Sequence, residues 1–509
     1  MPSSSSHSRS TQGLSGTQLR AGALKFPAVL MQGITHIAPA VGLALSIQFV
    51  TSNAGVTAPL AYAIAVLIML TLGVSLSQLA RHIPSAGGYY TYIARTVHPR
   101  AGLLTAWLYL LYDPAATAIN VAFMGFFFER TMQSEYGLWC PWWLFFIIST
   151  AILTFFVYRG IAFSSQVMVV LGAAEILIVV ALSAFGLIHP GPGGVNVNSY
   201  LPSQAPGVGG LALGVIFSIF SVNGFDAVIP LAEESENPRR TQPRAIMAAI
   251  LCTGAFYLFC SWAVIIGWGT HDINGFSHSI ENPCFVLARK YWGKGWILIF
   301  IAVLNSIFAV SIASTNAATR VLFAMGRSGV LPHTFGRVHK RYLTPANAIW
   351  LQTMLTLAVG LGLGFWLGPD QEFFFMGVVM TLGLVLIYGI SNFGVYHFFR
   401  NEIRTEFRIW PHVICPLFST AALLAVGVAS VNPLPPVPLR YAPFVVLVWL
   451  VAGVFFVWFM SRTGRESWLS NAALTSEESE ASAKIQLAVS EDTYTTSDEL
   501  ESRPHRTAQ

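Results

Sequence analysis

Four ionisable side chains stand inside otherwise apolar stretches of this chain: His36, Asp113, Glu175 and Asp226. Each costs at least about 2.5 kcal/mol at the centre of a bilayer unless it faces inward and is paired, so each marks a functional position by default. Asp226 has the most unusual surroundings. Leu211 to Leu231 is apolar enough to cross a membrane yet carries Asn223, Gly224, Phe225 and Asp226 at its centre, and Glu233, Glu234, Asn237, Pro238, Arg239, Arg240 and Pro243 follow directly. A break of this kind is tolerated at membrane depth only where it is packed in protein or lines a wet cavity, which is where a solute binds. Two readings stand for Asp226: a proton or gating site, or a cap for the half-helix that begins after Gly224. His36 either titrates near neutral pH or stays neutral on a freed carbonyl. Asp113, followed by Pro114, is either the counter-ion of a cationic amine or the stabiliser of a proline kink. Glu175, with apolar neighbours, is expected to serve structure or coupling without touching the solute.

The elements that position these groups are membrane helices. With 54% hydrophobic and 10% charged residues among 509, and a mean hydropathy of +0.61, the chain lies far from the soluble norm of about 25% charge. About twelve stretches are long and apolar enough to span. They fall near 27 to 51, 57 to 80, 101 to 128, 141 to 158, 163 to 188, 209 to 232, 246 to 268, 296 to 318, 345 to 367, 372 to 399, 411 to 430 and 441 to 461. Placing the N-terminus in the cytoplasm leaves only Arg130, Arg289, Lys290, Lys294 and Arg440 of the 28 Lys and Arg outside, as the positive-inside rule requires. The net charge of +5 is then explained by topology, and nucleic acid is not an expected partner. Loop 269 to 295 is long enough to fold over the outer mouth as a partly helical lid. No removable signal peptide is visible in Met1 to Phe26, and the five scattered cysteines have neither disulfide nor zinc spacing. Residues 1 to 26 and 462 to 509 read as cytoplasmic tails, the second disordered because its Ser, Thr and Glu-rich composition cannot bury a core.

Three stretches carry a family resemblance: Pro84-Ser85-Ala86-Gly87-Gly88-Tyr89-Tyr90-Thr91-Tyr92 with Trp107-Leu108-Tyr109; Gly224-Phe225-Asp226 through Glu233-Glu234 and Asn237-Pro238-Arg239-Arg240 to Pro243; and Asn316, Arg320, Phe323-Ala324-Met325, Gly329 and Leu331-Pro332. In this order and spacing, residues 27 to about 461 resemble the amino acid-polyamine-organocation superfamily of secondary transporters, most closely its bacterial amino acid permeases. The resemblance implies an all-α integral membrane fold of about 12 transmembrane helices built as an inverted 5+5 repeat, with helices one and six broken. The first repeat is expected over 27 to 188, the second over 209 to 399, and the last two helices over 411 to 461. Pro39 loosens helix one around His36 to Ala38, and Gly224 does the same in helix six.

Such breaks expose helix ends. The N-terminal end of the outer half of helix one, at Thr35, His36, Ile37, Ala38 and Pro39, suits a carboxylate. The C-terminal end of the outer half of helix six, at Phe220, Ser221 and Asn223 before Gly224 and Phe225, suits an ammonium. Together they favour a zwitterion, with Phe220 and Phe225 either closing the pocket or simply packing. Ser311, Ser314 and Thr315 share a face of helix eight, where sodium-coupled relatives hold a cation; tight packing by small polar residues is the competing reading. The leading expectation is a secondary active transporter of amino acids in the plasma or inner membrane, proton-coupled or exchanging, with H+ or Na+ as coupling ion and no cofactor. An amine or polyamine carrier is the alternative, and a transporter-like nutrient sensor the alternative from another class. No catalytic constellation points to an enzyme.

Overall fold

In the computed structural model, residues 18–432 and 436–462 are described, together with Ala473. The chain is helical almost throughout: α1 (Phe26–Ile37), α2 (Pro39–Ala54), α3 (Ala58–His82), α4 (Tyr89–Thr96), α5 (Pro99–Tyr109), α6 (Asp113–Tyr136), α7 (Trp142–Tyr158), α8 (Ile161–Ile188), α9 (Val208–Val222), α10 (Pro238–Trp268), α11 (Ile273–Ser277), α12 (Pro283–Trp292), α13 (Ile297–Ser328), α14 (Ala346–Leu367), α15 (Pro369–Asn401), α16 (Cys415–Ala429) and α17 (Ala442–Arg462). Among the described residues, 10 helical stretches are long and apolar enough to cross a membrane. The first of them, the 57 residues Phe26–His82, would extend about 85 Å as one helix, nearly three hydrocarbon cores, so it crosses twice. Its turn is the short segment Gly55–Thr57. Trp142–Tyr158, 17 residues long, is within the length that just spans and adds one more crossing. Ten, one and one make the twelve crossings expected from the sequence.

Both expected breaks are present. At the first, Ala38 takes the left-handed conformation, φ 54° and ψ 65°, which costs a non-glycine residue about 1–2 kcal/mol. Pro39 starts α2 without an N–H to offer, and the Ala38 N–H closes onto the Thr35 carbonyl at 3.1 Å. At the second, Asn223 is extended and Gly224 sits at φ 121°, a value that only glycine adopts readily. Beyond it Phe225–Glu234 forms a 3-10 helix with Pro230 inside, so the second half of this span is not an α-helix. The first span of each half of the chain is thus interrupted near its middle. A third discontinuity separates α5 from α6 at Leu110 to Tyr112, directly before Asp113 and Pro114.

The helices form two groups in contact with each other. α3 lies along α10, with α9 against α2 and α3; an added Cβ at Gly254 would come within 2.7 Å of Val66, so glycine permits this close approach. α13 and α14 pack on α6 and α7. α1 and the 3-10 segment run between the groups, which brings both breaks against α6 and α13.

Loop 269–295 is partly helical, as expected, forming α11 and α12. It bonds to α2: Asn282 Nδ2 donates to the Ala44 carbonyl at 2.5 Å and Gln48 Nε2 to that of Ser279 at 3.1 Å. The expected N-terminal tail behaves differently from a free tail over residues 18–25. Leu24 and Ser235 form a bridge, with the Leu24 N–H on the Glu234 carbonyl at 2.9 Å and the Glu236 N–H on the Leu24 carbonyl at 2.8 Å. Residues 1–17 and nearly all of the expected disordered tail, 462 to 509, lie outside the described residues.

Candidate substrate site

The two breaks meet, and three of the four ionisable residues meet with them. His36 in the last turn of α1 reaches across to α6, where its Nε2 lies 2.7 Å from Asp113 Oδ1. The same nitrogen is 3.1 Å from Ser314 Oγ on α13. Its other nitrogen faces the second break: a Cβ at Gly224 would come within 2.7 Å of His36 Nδ1. Gly224 therefore serves the backbone turn and the close seat of the imidazole together.

Asp113 and Asp226 are both buried and both dressed by tyrosines. The Tyr109 hydroxyl donates to Asp113 Oδ2. Tyr89 donates to Asp226 Oδ2 at 2.8 Å, and Tyr112 makes a longer 3.5 Å contact with Asp226 Oδ1. The rings of Tyr109 and Tyr112 meet edge to face with centroids 5.9 Å apart, as do those of His36 and Tyr112. Tyr388 on α15 completes the wall, its ring 5.9 Å from that of Tyr89 and its hydroxyl donating to Asn223 Oδ1 at 2.8 Å. Neither carboxylate has a Lys or Arg partner among the described residues. The result is a box of two acids, one imidazole and four phenols, gathered from six helical elements. Phenol faces and carboxylates together suit an organic cation.

The other expected positions divide. Asp226 does not cap the half-helix after Gly224, whose N-terminus has no side-chain cap; its carboxylate is turned to the tyrosines instead. The helix-six end expected to hold an ammonium is partly occupied, since Tyr257 donates to the Ser221 carbonyl at 2.9 Å and Ser221 Oγ to Ser46 Oγ at 2.6 Å. Phe220 is 51% exposed while Phe225 is fully buried, so the two rings do not flank one space. Thr35 turns away toward α8, donating to the Met31 carbonyl at 2.7 Å, and Ile37 is buried. At the start of α2, the Val41 N–H donates to Ser306 Oγ at 3.3 Å. Glu175 is fully buried on α8 beside Asn305, whose Nδ2 donates to it at 3.2 Å. It stands apart from the box. The three hydroxyls on α13 have separate partners: Ser314 takes His36, Thr315 is 3.1 Å from Thr117, and Ser311 donates to the Ile307 carbonyl.

The three sequence stretches that carried the family resemblance assemble next to the box, on the side where Leu24 lies. Arg320 forms a fully buried ion pair with Glu234, Nε to Oε2 2.8 Å, and also donates to the Asn316 carbonyl and Thr319. Arg327 pairs with Glu233 at 2.5 Å, and Glu233 accepts the Ala86 N–H at 3.0 Å. Tyr90 donates to Ser328 at 3.0 Å. These bonds seal the loop after α3, the end of the 3-10 segment and the end of α13 together into one plug.

A family model described as amino acid permease matches residues 28–469. The chain belongs to that family, within the amino acid-polyamine-organocation superfamily. Its relatives are transporters with different printed substrates. It is 28% identical to the low-affinity putrescine importer PlaP of Escherichia coli (strain K12) over 404 residues, 78% of this chain and 86% of the relative. It is 27% identical to the branched-chain amino acid permease BcaP of Bacillus subtilis (strain 168) over 331 residues, 61% of this chain and 68% of that one. The serine/threonine exchanger SteT of the same organism is 22% identical over 371 residues, covering 71% and 78%. This permease is thus a multi-pass membrane transporter of small molecules.

Sequence reasoning did not assign the four tyrosines to the site. Tyr109 had a local signal, because it precedes Asp113 by four positions and so shares its face across the kink. Tyr89 sat in a stretch singled out for resemblance alone. Tyr112 and Tyr388 had no local signal, since only the packing of α6 and α15 against the breaks brings them in.

Proposed function

We propose that this permease is a secondary transporter of small amines, held by Asp113 and Asp226 at the meeting point of the two broken spans. The observation that carries the reading is the charge of the box. Two buried carboxylates share one titratable imidazole and no Lys or Arg, so the site attracts a cation and offers a substrate carboxylate no free positive partner. The putrescine importer among the relatives supports the same class. The expected driving force is the proton gradient or exchange, because the box carries an imidazole, a group that can hold or release a proton. The protein is assigned to the plasma or inner membrane with both termini cytoplasmic, on the distribution of Lys and Arg. The plug of Glu233, Glu234, Arg320 and Arg327 then closes the cytoplasmic side.

Reconstituted liposomes test this. With a pH gradient, labelled 1,4-diaminobutane should accumulate, and butylamine should compete with it for the site. Asp226→Asn should cut that uptake about 10–100-fold, the value of one charge-assisted hydrogen bond, while leaving Tyr89 an acceptor. Saturable leucine or serine uptake with no amine uptake would overturn the reading.

Amino acids are the second reading, favoured by one contact. The Val41 N–H at the start of α2 is satisfied only by the neutral Ser306 hydroxyl at 3.3 Å, which a substrate carboxylate can replace at a helix N-terminus. The same uptake panel separates the two.

A further inference from the structure

We propose that His36 is a built-in cation seated in the Asp113 half of the box in place of a second substrate ammonium, so that a short diamine expels one proton on binding and a monoamine expels none. The inference rests on the amine reading above and goes on to name the substrate class and the source of the coupling proton.

Every group that faces His36 fits this role. Asp113 and Tyr109 lie on the α5 to α6 side, with Tyr112 edge-on; Ser314 faces it from α13; Gly224 and Asp226 belong to the second break. The only charges among them are the two carboxylates. An imidazolium therefore completes an ion pair with Asp113, whereas a neutral imidazole there leaves a buried carboxylate uncompensated. His36 Nε2, 2.7 Å from Asp113 Oδ1, occupies the place that an ammonium bonded to that oxygen would take. Ser314 provides the alternative: at 3.1 Å, its hydroxyl can donate to the same nitrogen once the proton has gone, so the neutral ring keeps a partner.

Charge balance then separates two kinds of substrate. With His36 protonated and both carboxylates ionised, the box carries one uncompensated negative charge, which a single ammonium neutralises. A diamine brings two ammonium groups. The box stays neutral only if His36 gives its proton to the water of whichever face is open and cedes Asp113 to the second nitrogen. The edge-to-face pair of Tyr109 and Tyr112, one bonded to each carboxylate, links the two acids and would supply an aromatic wall for the connecting methylenes. His36 also ends α1 directly before the left-handed Ala38, so its release from Asp113 acts on the hinge of the first span.

Calorimetry of the purified permease in two buffers of different ionisation enthalpy counts the protons. We expect about one proton released per 1,4-diaminobutane, none per butylamine, and a diamine affinity that rises about tenfold per pH unit over the range in which His36 is charged. His36→Gln should still bind the diamine without release. His36→Lys, which fixes a cation beside Asp113, should bind the diamine no better than butylamine. Equal release with both amines in the unmodified protein overturns the inference and needs no variant. Release that persists in His36→Gln overturns it as well. Both of those results leave amine binding itself intact. Failure of both amines to bind, with leucine binding in the same preparation, removes the amine reading and this inference together.

Discussion

Two buried ion pairs join distant helices in this permease, and they are built from different cations. Arg320 and Glu234 are fully buried in the seal, and Arg320 holds further bonds to the Asn316 carbonyl and Thr319. His36 and Asp113 are also buried, in the box, but His36 has one further partner, the Ser314 hydroxyl. Guanidinium keeps its charge at any accessible pH, while imidazole can lose it. A pair that must hold a plug together uses the first. On the amine reading, a pair that opens for a cationic substrate uses the second.

The comparison breaks most visibly at Arg320. Arg320→Met leaves Glu234 buried without a counter-ion, which costs about 3–5 kcal/mol, so a large fall in Tm is expected in detergent. Arg320→Met with Glu234→Leu should recover most of it, because replacing both partners of a buried pair by apolar groups is often neutral. A double variant as unstable as the single one would mean that the bonds to Asn316 and Thr319, and not the ion pair, hold the plug.

Asp113→Asn should cost less, about 1–3 kcal/mol, the loss of a buried hydrogen-bond partner. The stranded imidazole can shed its proton and keep Ser314, a relief that Glu234 lacks. The melting curve gives the stability, and diamine against monoamine binding gives the function: the diamine should lose its advantage. An Asp113→Asn loss as large as that of Arg320→Met would erase the distinction between the two pairs.

The seal was more legible in the sequence than the box. Glu233, Glu234, Asn316 and Arg320 stood out as motif residues before any fold was known, and both breaks were readable from Pro39 and Gly224, because local backbone chemistry dictates them. His36, Asp113 and Asp226 were each visible as a polar group at membrane depth. What no single stretch contained was their meeting. His36 and Asp113 are 77 positions apart, and Tyr388 reaches Asn223 across 165, so the pairing follows only from how the halves pack. Reading Asp226 as a cap failed for the same reason: the local rule favours an acid at a helix start, and the tertiary tyrosines outcompeted it.

The smallest effect is expected at the far mouth, where the same charges sit in a wetter place. Arg289 on α12 bonds Glu135 at 2.5 Å and Glu281 at 2.9 Å and stacks over Trp296 at 4.1 Å. Its side chain is 34% exposed, so solvent screens the pairs. Arg289→Gln should therefore change stability by only about 0–1 kcal/mol, and 0.5 M salt should shrink even that, since the screening length falls to roughly 4 Å. Its effect belongs to rate. These contacts fasten the 269–295 segment to the end of α6, so the variant should speed exchange of that segment's amides while leaving those of α13 near Arg320 unchanged. Hydrogen exchange of the intact protein reads both regions at once. Equal acceleration at α13 would mean that the two mouths are coupled, and that the exposed latch and the buried plug act as one gate.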